Sequence, residues 1–279
     1  MLDGRVVARQ IYAEVAAALK ERVERGGSRP RLATVLVGDD EASATYVRLK
    51  QRNAQGVGIE SDDHRLPADT TTDELVALVR RLNADEEISG ILIQQPTPKQ
   101  IDVQRVVLEL DPAKDVDGFH PVNAGKVALG MTGGIEPATP SGIVELLLRS
   151  GIAIEGANAV VVGRSNLVGK PTALLMLRRN ATVTICHTRT RELARHTRSA
   201  DILVAAAGKP DLIGRDMVRP GATVVDVSTN WVGGRQVGDL GAGVDEVAGW
   251  LTPNPGGVGP MTRAMLIKNT FEAEARRRP

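Results

Sequence analysis

The 279-residue chain is short of several things at once: it has one cysteine, four histidines, two each of Trp, Tyr and Phe, and no excess of either charge, with 35 Lys and Arg against 34 Asp and Glu. Each shortage removes a class of protein. A lone Cys186 forbids an internal disulfide, and four scattered histidines leave no cluster for a structural metal, so no metal is expected and a reducing, cytoplasmic setting fits. A formal net charge of +1 gives no field to recruit nucleic acid, and aromatics at 2% leave little to stack bases on. No apolar run reaches the length of a membrane span. Residues 1–26 are amphipathic through Ile11, Val15, Leu19 and Val23, with acids among them, which is unlike a secretion signal.

What remains is 42% hydrophobic and 25% charged, an ordinary α/β composition long enough for two domains. After the first helix, Leu32–Val37 reads as a strand, Gly38-Asp39-Asp40 as a turn, and Ala42–Ala54 as a helix. The i, i+4 spacing puts Tyr46 and Lys50 on one face of that helix, beside the carboxyl end of the strand, where open α/β sheets bind ligands. A second unit follows, with a strand over Ile59–Leu66, a helix over Thr72–Leu82, and the strand Gly90–Ile93 ending in the polar pair Gln94-Gln95. That pair is a candidate site element or a plain sheet cap. A helix over Val103–Leu110 leads into Asp111-Pro112-Ala113-Lys114-Asp115-Val116-Asp117-Gly118-Phe119, whose three acids and one glycine read as a solvated turn. From Asn123 to Gly134 the chain is glycine-rich, and Pro140-Ser141 opens a helix over Gly142–Arg149; the domain boundary is expected in this region.

The second half alternates strands and helices, with strands near Val160–Val162, Thr182–Cys186, Ile202–Ala206 and Thr223–Val227, which implies a doubly wound parallel sheet. Its first strand breaks into Gly163-Arg164-Ser165-Asn166-Leu167-Val168-Gly169-Lys170-Pro171 before a helix resumes, a strand–turn–helix whose helix start is expected to offer free backbone N–H groups to an anion. Ser165 stands at the second glycine position of G-x-G-x-x-G, and one extra residue precedes Gly169. A P-loop fits worse, because five residues separate the glycines and Pro171 follows the lysine. A turn that binds nothing is the remaining alternative. Where a dinucleotide fold carries its ribose-binding acid, this chain has His187-Thr188-Arg189; Arg164 and Arg189 can instead pair with a 2′-phosphate, which favours NADP over NAD. Tyr46 and Lys50 have the Y-x-x-x-K spacing of short-chain dehydrogenases, but there the glycine loop comes first, so that relationship is disfavoured. A lysine works as a base only when part of it is neutral, which burial promotes, and Gln94 could orient it without adding charge. Near the end, Thr252–Thr262 is a Pro/Gly loop, and the final helix is expected to be capped near Thr262 and to run to about Arg276.

In this order Tyr46-x-x-x-Lys50, Ile93-Gln94-x-Pro96, Lys114–Gly118, Thr139-Pro140-x-Gly142, Gly163–Pro171 and Pro255–Thr262 closely resemble the bifunctional methylenetetrahydrofolate dehydrogenase/methenyltetrahydrofolate cyclohydrolases, over nearly the whole chain. The resemblance implies two α/β domains: residues 1–122 completed by 252–279 for folate and catalysis, and a Rossmann-like NADP domain over 123–251. It implies too that the last helix returns to the first domain and that a homodimer forms through the cofactor domains. It implies Lys50 as acid/base, Tyr46 stacked on the folate rings, Gln94 tuning the lysine and Asp117 on the pterin edge. Folate is expected also against Ile93, Gln95 and the run Pro255, Gly256, Gly257, Val258, Gly259. NADP is expected against Gly163, Arg164, Ser165, Val168, His187, Thr188, Arg189 and Thr229. The chain departs from the family pattern at Gln95, Thr97, Ala138, Ser228-Thr229 and Leu240-Gly241, and Gln95 abuts the tuning residue. Two other readings stand beside this one: a specialised paralogue with weak cyclohydrolase activity, and a non-catalytic folate- or nucleotide-binding regulator.

Overall fold

The structure is a computed structural model that describes residues 1–278. In chain order the elements are α1 (Gly4–Glu24), β1 (Arg31–Val37), α2 (Glu41–Gly56), β2 (Glu60–Leu66), α3 (Thr72–Ala84), β3 (Gly90–Ile93), α4 (Val103–Glu109), α5 (Pro121–Ala128) and α6 (Ala138–Arg149). They continue as β4 (Asn158–Val162), α7 (Gly169–Arg178), β5 (Thr182–Cys186), α8 (Leu193–Thr197), β6 (Ile202–Ala205), β7 (Thr223–Asp226), β8 (Asn230–Val232), β9 (Arg235–Val237), β10 (Trp250–Leu251) and α9 (Val258–Arg277). The chain divides into two compact units, one of residues 10–138 with 263–279 and the other of residues 1–9 with 139–262. The break at residues 138/139 leaves α5 with the first unit. Asn123 explains it: its amide donates to Pro112 O and Asp115 Oδ2, which ties α5 to the first unit's 111–118 loop.

The first unit holds a three-stranded parallel sheet in the order β2-β1-β3. Strand β1 is apolar on both faces and buried almost throughout, as a central strand flanked by helices must be, whereas β2 is polar and alternates in exposure, as an edge strand can. Leu75, Leu78, Val79 and Leu82 of α3 pack on Val35, Val37, Ile91 and Ile93. A capping box between Thr71 and Glu74 starts α3. The returning segment of α9 seals this unit, because buried Glu274 accepts hydrogen bonds from the hydroxyls of Ser28 and Ser89.

The second unit holds a five-stranded sheet, parallel throughout, in the order β10-β7-β6-β4-β5. Strands β4, β6 and β7 are almost wholly buried. The sheet turns back on itself beside β4, which places its topological switch point at the carboxyl ends of β4 and β6. In the first unit the same reasoning puts the switch point at the carboxyl ends of β1 and β3.

Three expectations change. The glycine-rich stretch contains α5, started by Pro121 in the first turn and by His120, whose Nδ1 accepts from Val122 N. Helices α6 and α9 begin at Ala138 and Val258, about one turn before the expected starts at Gly142 and Thr262. The reason is shared: Pro140 and Pro260 sit inside the first turn, where a missing N–H breaks no helical bond. The β8–β9 hairpin is also new, turning at Gly233 and Gly234, both at positive φ.

Lys114 is 1% exposed and donates to three carbonyls at the end of α3, Leu82 O at 2.9 Å, Asn83 O at 2.7 Å and Asp85 O at 2.6 Å. It therefore closes a helix C-terminus from a distant loop. Lys114→Met should lower stability by about 3 kcal/mol, because three carbonyls lose a charged partner in the interior; equilibrium urea unfolding that matched the wild type would contradict this role.

Candidate active site

Helix α2 starts where Asp40 Oδ2 accepts from Ser43 N at 2.7 Å, and this cap sets the phase of the helix. Val47 and Ala54 then face the core, Lys50 is carried inward with them to 8% exposure, and Tyr46 lies one turn earlier, half-buried. Gln94 follows directly on β3, next to the strand that feeds α2, and its backbone N–H bonds to Val35 O at 2.9 Å. The two side chains meet: Lys50 Nζ donates to Gln94 Oε1 at 3.0 Å. Gln94 Nε2 in turn donates to the main-chain oxygen of Gln95. This second bond fixes which end of the amide faces the lysine, and because it uses backbone, a glutamine at position 95 does not remove it.

The segment 114–118 is not a solvated turn; each residue in it does something different. Lys114 closes α3. Asp115 accepts from Gly118 N, His120 N and Asn123 Nδ2, and it bridges β3 opposite Ile91. Val116 is fully buried against Gly90, where any Cβ would lie 2.4 Å from Val116 Cγ1. Gly118 has φ +74° and backs onto Glu136 and Pro137 at a distance no side chain fits. Asp117 is left to face Lys50.

The electrostatics follow from this packing. Burial holds the Lys50 amine below the ordinary lysine range; the Asp117 carboxylate pulls it up and the Arg263 guanidinium, from α9, pushes it further down. Burial raises the Asp117 carboxyl, and the Lys50 charge opposes that rise. The site is thus an amine and an acid, each biased toward its neutral form by a dry environment. Arg263 and Tyr12, whose hydroxyl hydrogen-bonds Arg263 and is shifted upward mainly by burial, were not singled out in the sequence. Neither belongs to a short motif; α1 and α9 bring them to α2 only on folding.

In the other unit, the carboxyl ends of β4, β5 and β7 carry Gly163–Val168, His187–Arg189 and Thr229. Gly163 has φ +138°, and a Cβ there would fall 2.1 Å from Ala206 O; one at Gly169 would fall 2.2 Å from Gly163 O. The turn is therefore closed by backbone-to-backbone contact that only glycine permits. Its N–H groups are not all free, contrary to expectation. Ser165 Oγ accepts from Val168 N at 3.1 Å and Gly169 N at 3.3 Å, and Ser165 O accepts from Lys170 N. Ser165, in place of a glycine, takes up the N–H groups of Val168 and of Gly169 at the start of α7, so an anion here must rely more on side chains such as exposed Arg164. His187 Nδ1 accepts from Arg189 N, and His187 N donates to Thr190 Oγ1, which folds this strand end into a turn with Thr188 and Arg189 exposed. Pro255–Gly259 belong to this same unit. There Gly257 N bonds Pro253 O at 2.7 Å, Gly256 takes φ +124°, and Val258 and Gly259 already form the first turn of α9. Among the described residues no group of His, Cys, Asp and Glu could hold a metal ion.

Comparison with known proteins adds to this. Residues 2–117 match the family model of the tetrahydrofolate dehydrogenase/cyclohydrolase catalytic domain, and residues 137–278 match that of the tetrahydrofolate dehydrogenase/cyclohydrolase NAD(P)-binding domain. The chain is 53% identical over 275 residues to the bifunctional protein FolD of Halothermothrix orenii, covering 98% of this chain and 97% of that protein. The crystal structure of the bifunctional methylenetetrahydrofolate dehydrogenase/cyclohydrolase FolD from Campylobacter jejuni superposes with TM-score 0.96 at 41% identity, over 99% of this chain and 98% of that one. The Trypanosoma brucei N5,N10-methylenetetrahydrofolate dehydrogenase-cyclohydrolase, solved with NADP cofactor and inhibitor, superposes with TM-score 0.93 at 38% identity, over 99% and 97% of the two chains.

The charges around Lys50 make a signed prediction. Arg263→Met removes a cation and should move the Lys50 titration to higher pH, whereas Asp117→Asn removes an anion and should move it lower. The Lys50 13Cε shift followed by NMR against pH reads both; midpoints that stay at the wild-type value would refute the coupling.

Proposed function

This chain belongs to the tetrahydrofolate dehydrogenase/cyclohydrolase family, and from that premise we infer how its residues divide a two-step reaction. The protein is an enzyme of one-carbon metabolism: it oxidises 5,10-methylenetetrahydrofolate to the 5,10-methenyl form with NADP, then hydrolyses that product to 10-formyltetrahydrofolate. Residues of the catalytic match, with the chain end over 252–279, are proposed to handle folate, and residues 123–251 to handle NADP.

The observation that carries the assignment of roles is the buried Lys50–Gln94 hydrogen bond. An amine that burial holds below its usual range is biased toward its neutral form, the form that can take a proton from the water that attacks the methenyl carbon. It can then return a proton to the ring nitrogen as the bridge opens. Gln94 holds the amine in place with a neutral acceptor, which does not drive the pKa back up as a carboxylate would. Tyr46, one turn away on the same helix, is proposed to stack on the folate rings, Asp117 to hold the pterin edge, and Ile93, Gln95 and Pro255–Gly259 to line the substrate.

The cofactor cradle suits a dinucleotide: its turn is closed at Gly163 and Gly169 by backbone contacts that only glycine permits, at a switch point of a parallel sheet. NADP, when bound, supplies the electron-pair acceptor for the oxidation. Gly163, Ser165 and Val168 are proposed to shape its seat, with His187, Thr188 and Thr229 along the strand ends, and Arg164 and Arg189 to pair with its 2′-phosphate. The substrate's own nitrogens stabilise the cation formed, so alignment is the main demand on the protein in this step. A homodimer through the cofactor unit is supported by β5, an edge strand with exposed Ile185, and by exposed Leu177 of the preceding helix. No helix among the described residues is long and apolar enough to cross a membrane, and the single buried cysteine agrees with a cytoplasmic setting.

Two variants test the assignments. Lys50→Met should cut methenyl hydrolysis by about a hundredfold or more, while oxidation of the methylene substrate suffers less; full hydrolysis in a direct assay of the methenyl compound would sink the role of Lys50. Arg164→Ala should weaken NADP by about tenfold and leave NAD nearly unchanged, since only NADP carries the extra phosphate; equal losses, seen in initial rates with each cofactor, would remove that contact.

A further inference from the structure

One fully buried carboxylate has no part in the chemistry above. Asp239 is 0% exposed and lies just past β9. Its Oδ2 accepts from Ala207 N at 2.6 Å, Gly208 N at 3.1 Å and Ser228 Oγ at 2.7 Å; its Oδ1 accepts from Lys209 N at 2.8 Å and Asn230 Nδ2 at 3.2 Å. Five donors converge on one side chain, and they come from two loops: the one after β6 and the one after β7. Its own N–H donates to Asp226 Oδ1 at 3.0 Å, an approach that requires glycine at 238, where any Cβ would meet Asp226 Oδ2 at 1.6 Å.

Both loops border the dinucleotide cradle. The residue just before Ala207 is Ala206, whose carbonyl presses on Gly163, and Thr229 lies between Ser228 and Asn230. Asn254 continues the link, donating to Ser228 O at 2.8 Å and accepting from Gln236 Nε2 at 2.9 Å. A buried charge is tolerated only when hydrogen bonds replace its water, and here backbone N–H groups do most of that, so the charge and the loop positions hold each other in place.

We propose that Asp239 is a positioning residue for the cofactor: it locks the loops after β6 and β7 into the spacing that NADP needs, without touching NADP. The proposal rests on the NADP reading above. Asparagine is the informative replacement, since it keeps the shape but turns an NH2 toward N–H donors on one side or the other. Asp239→Asn should raise the NADP dissociation constant, measured by isothermal titration calorimetry below the melting transition, by about tenfold. It should raise the KM for NADP more than it lowers kcat, while hydrolysis of the methenyl substrate without NADP stays within about twofold. Ser228→Ala, which removes a single hydroxyl bond, provides a milder second variant, with NADP binding expected to weaken about threefold. Unchanged NADP affinity in either folded variant, with only a lower melting temperature by circular dichroism, would overturn the proposal. Equal loss of both activities would do the same. Wild-type protein that hydrolyses the methenyl substrate but binds no NADP would overturn the cofactor reading instead.

Discussion

The candidate site of the first unit is built on a buried amine next to a neutral acceptor. Lys50 is carried inward because α2 is phased by the Asp40 cap and packed through Val47 and Ala54, and Gln94 arrives because β3 pairs with β1, the strand that leads into α2. A carboxylate at position 94 would have paired with the ammonium and kept it charged; an apolar residue would have left the amine without a partner. The amide does neither, and its own orientation is secured by backbone. Asp117 and Arg263 then act as opposing charges on a group that desolvation has already biased.

Around that pair, the 114–118 segment shows how a short run can serve stability and function together. Lys114 and Asp115 turn away from the site, one to the end of α3 and one to the chain that follows, and Val116 fills the space that Gly90 leaves. With those anchors set, Asp117 has little freedom in where its carboxyl goes. The same logic operates in the other unit, where Ser165 holds the N–H groups that lead into α7 and Asp239 ties two strand ends. In both units the hydrogen bonds of a polar residue organise the loop beside a candidate site residue.

The sequence by itself determined the two α/β units, the strands β1 to β7, and the placing of Lys50, Gln94 and the Gly163 turn at strand ends. Periodicity and glycine or proline punctuation are local signals, and a carboxyl end is local once its strand is known. Tyr46 and Lys50 on one face follow from helical pitch alone. Ordered motifs supplied the family, which no single motif specified.

Tertiary structure decided the rest. The jobs of Lys114 and Asp239 depend on carbonyls and amides about thirty residues away, brought together only in the folded chain, and no spacing rule reaches that far. Arg263 and Tyr12 became visible only when α1 and α9 met α2. The helix starts at Ala138 and Val258 were hidden because proline reads locally as a barrier, yet is harmless in a first turn. Burial, which biases the Lys50 amine toward its neutral form, is a property of the packed whole and not of any segment of the chain.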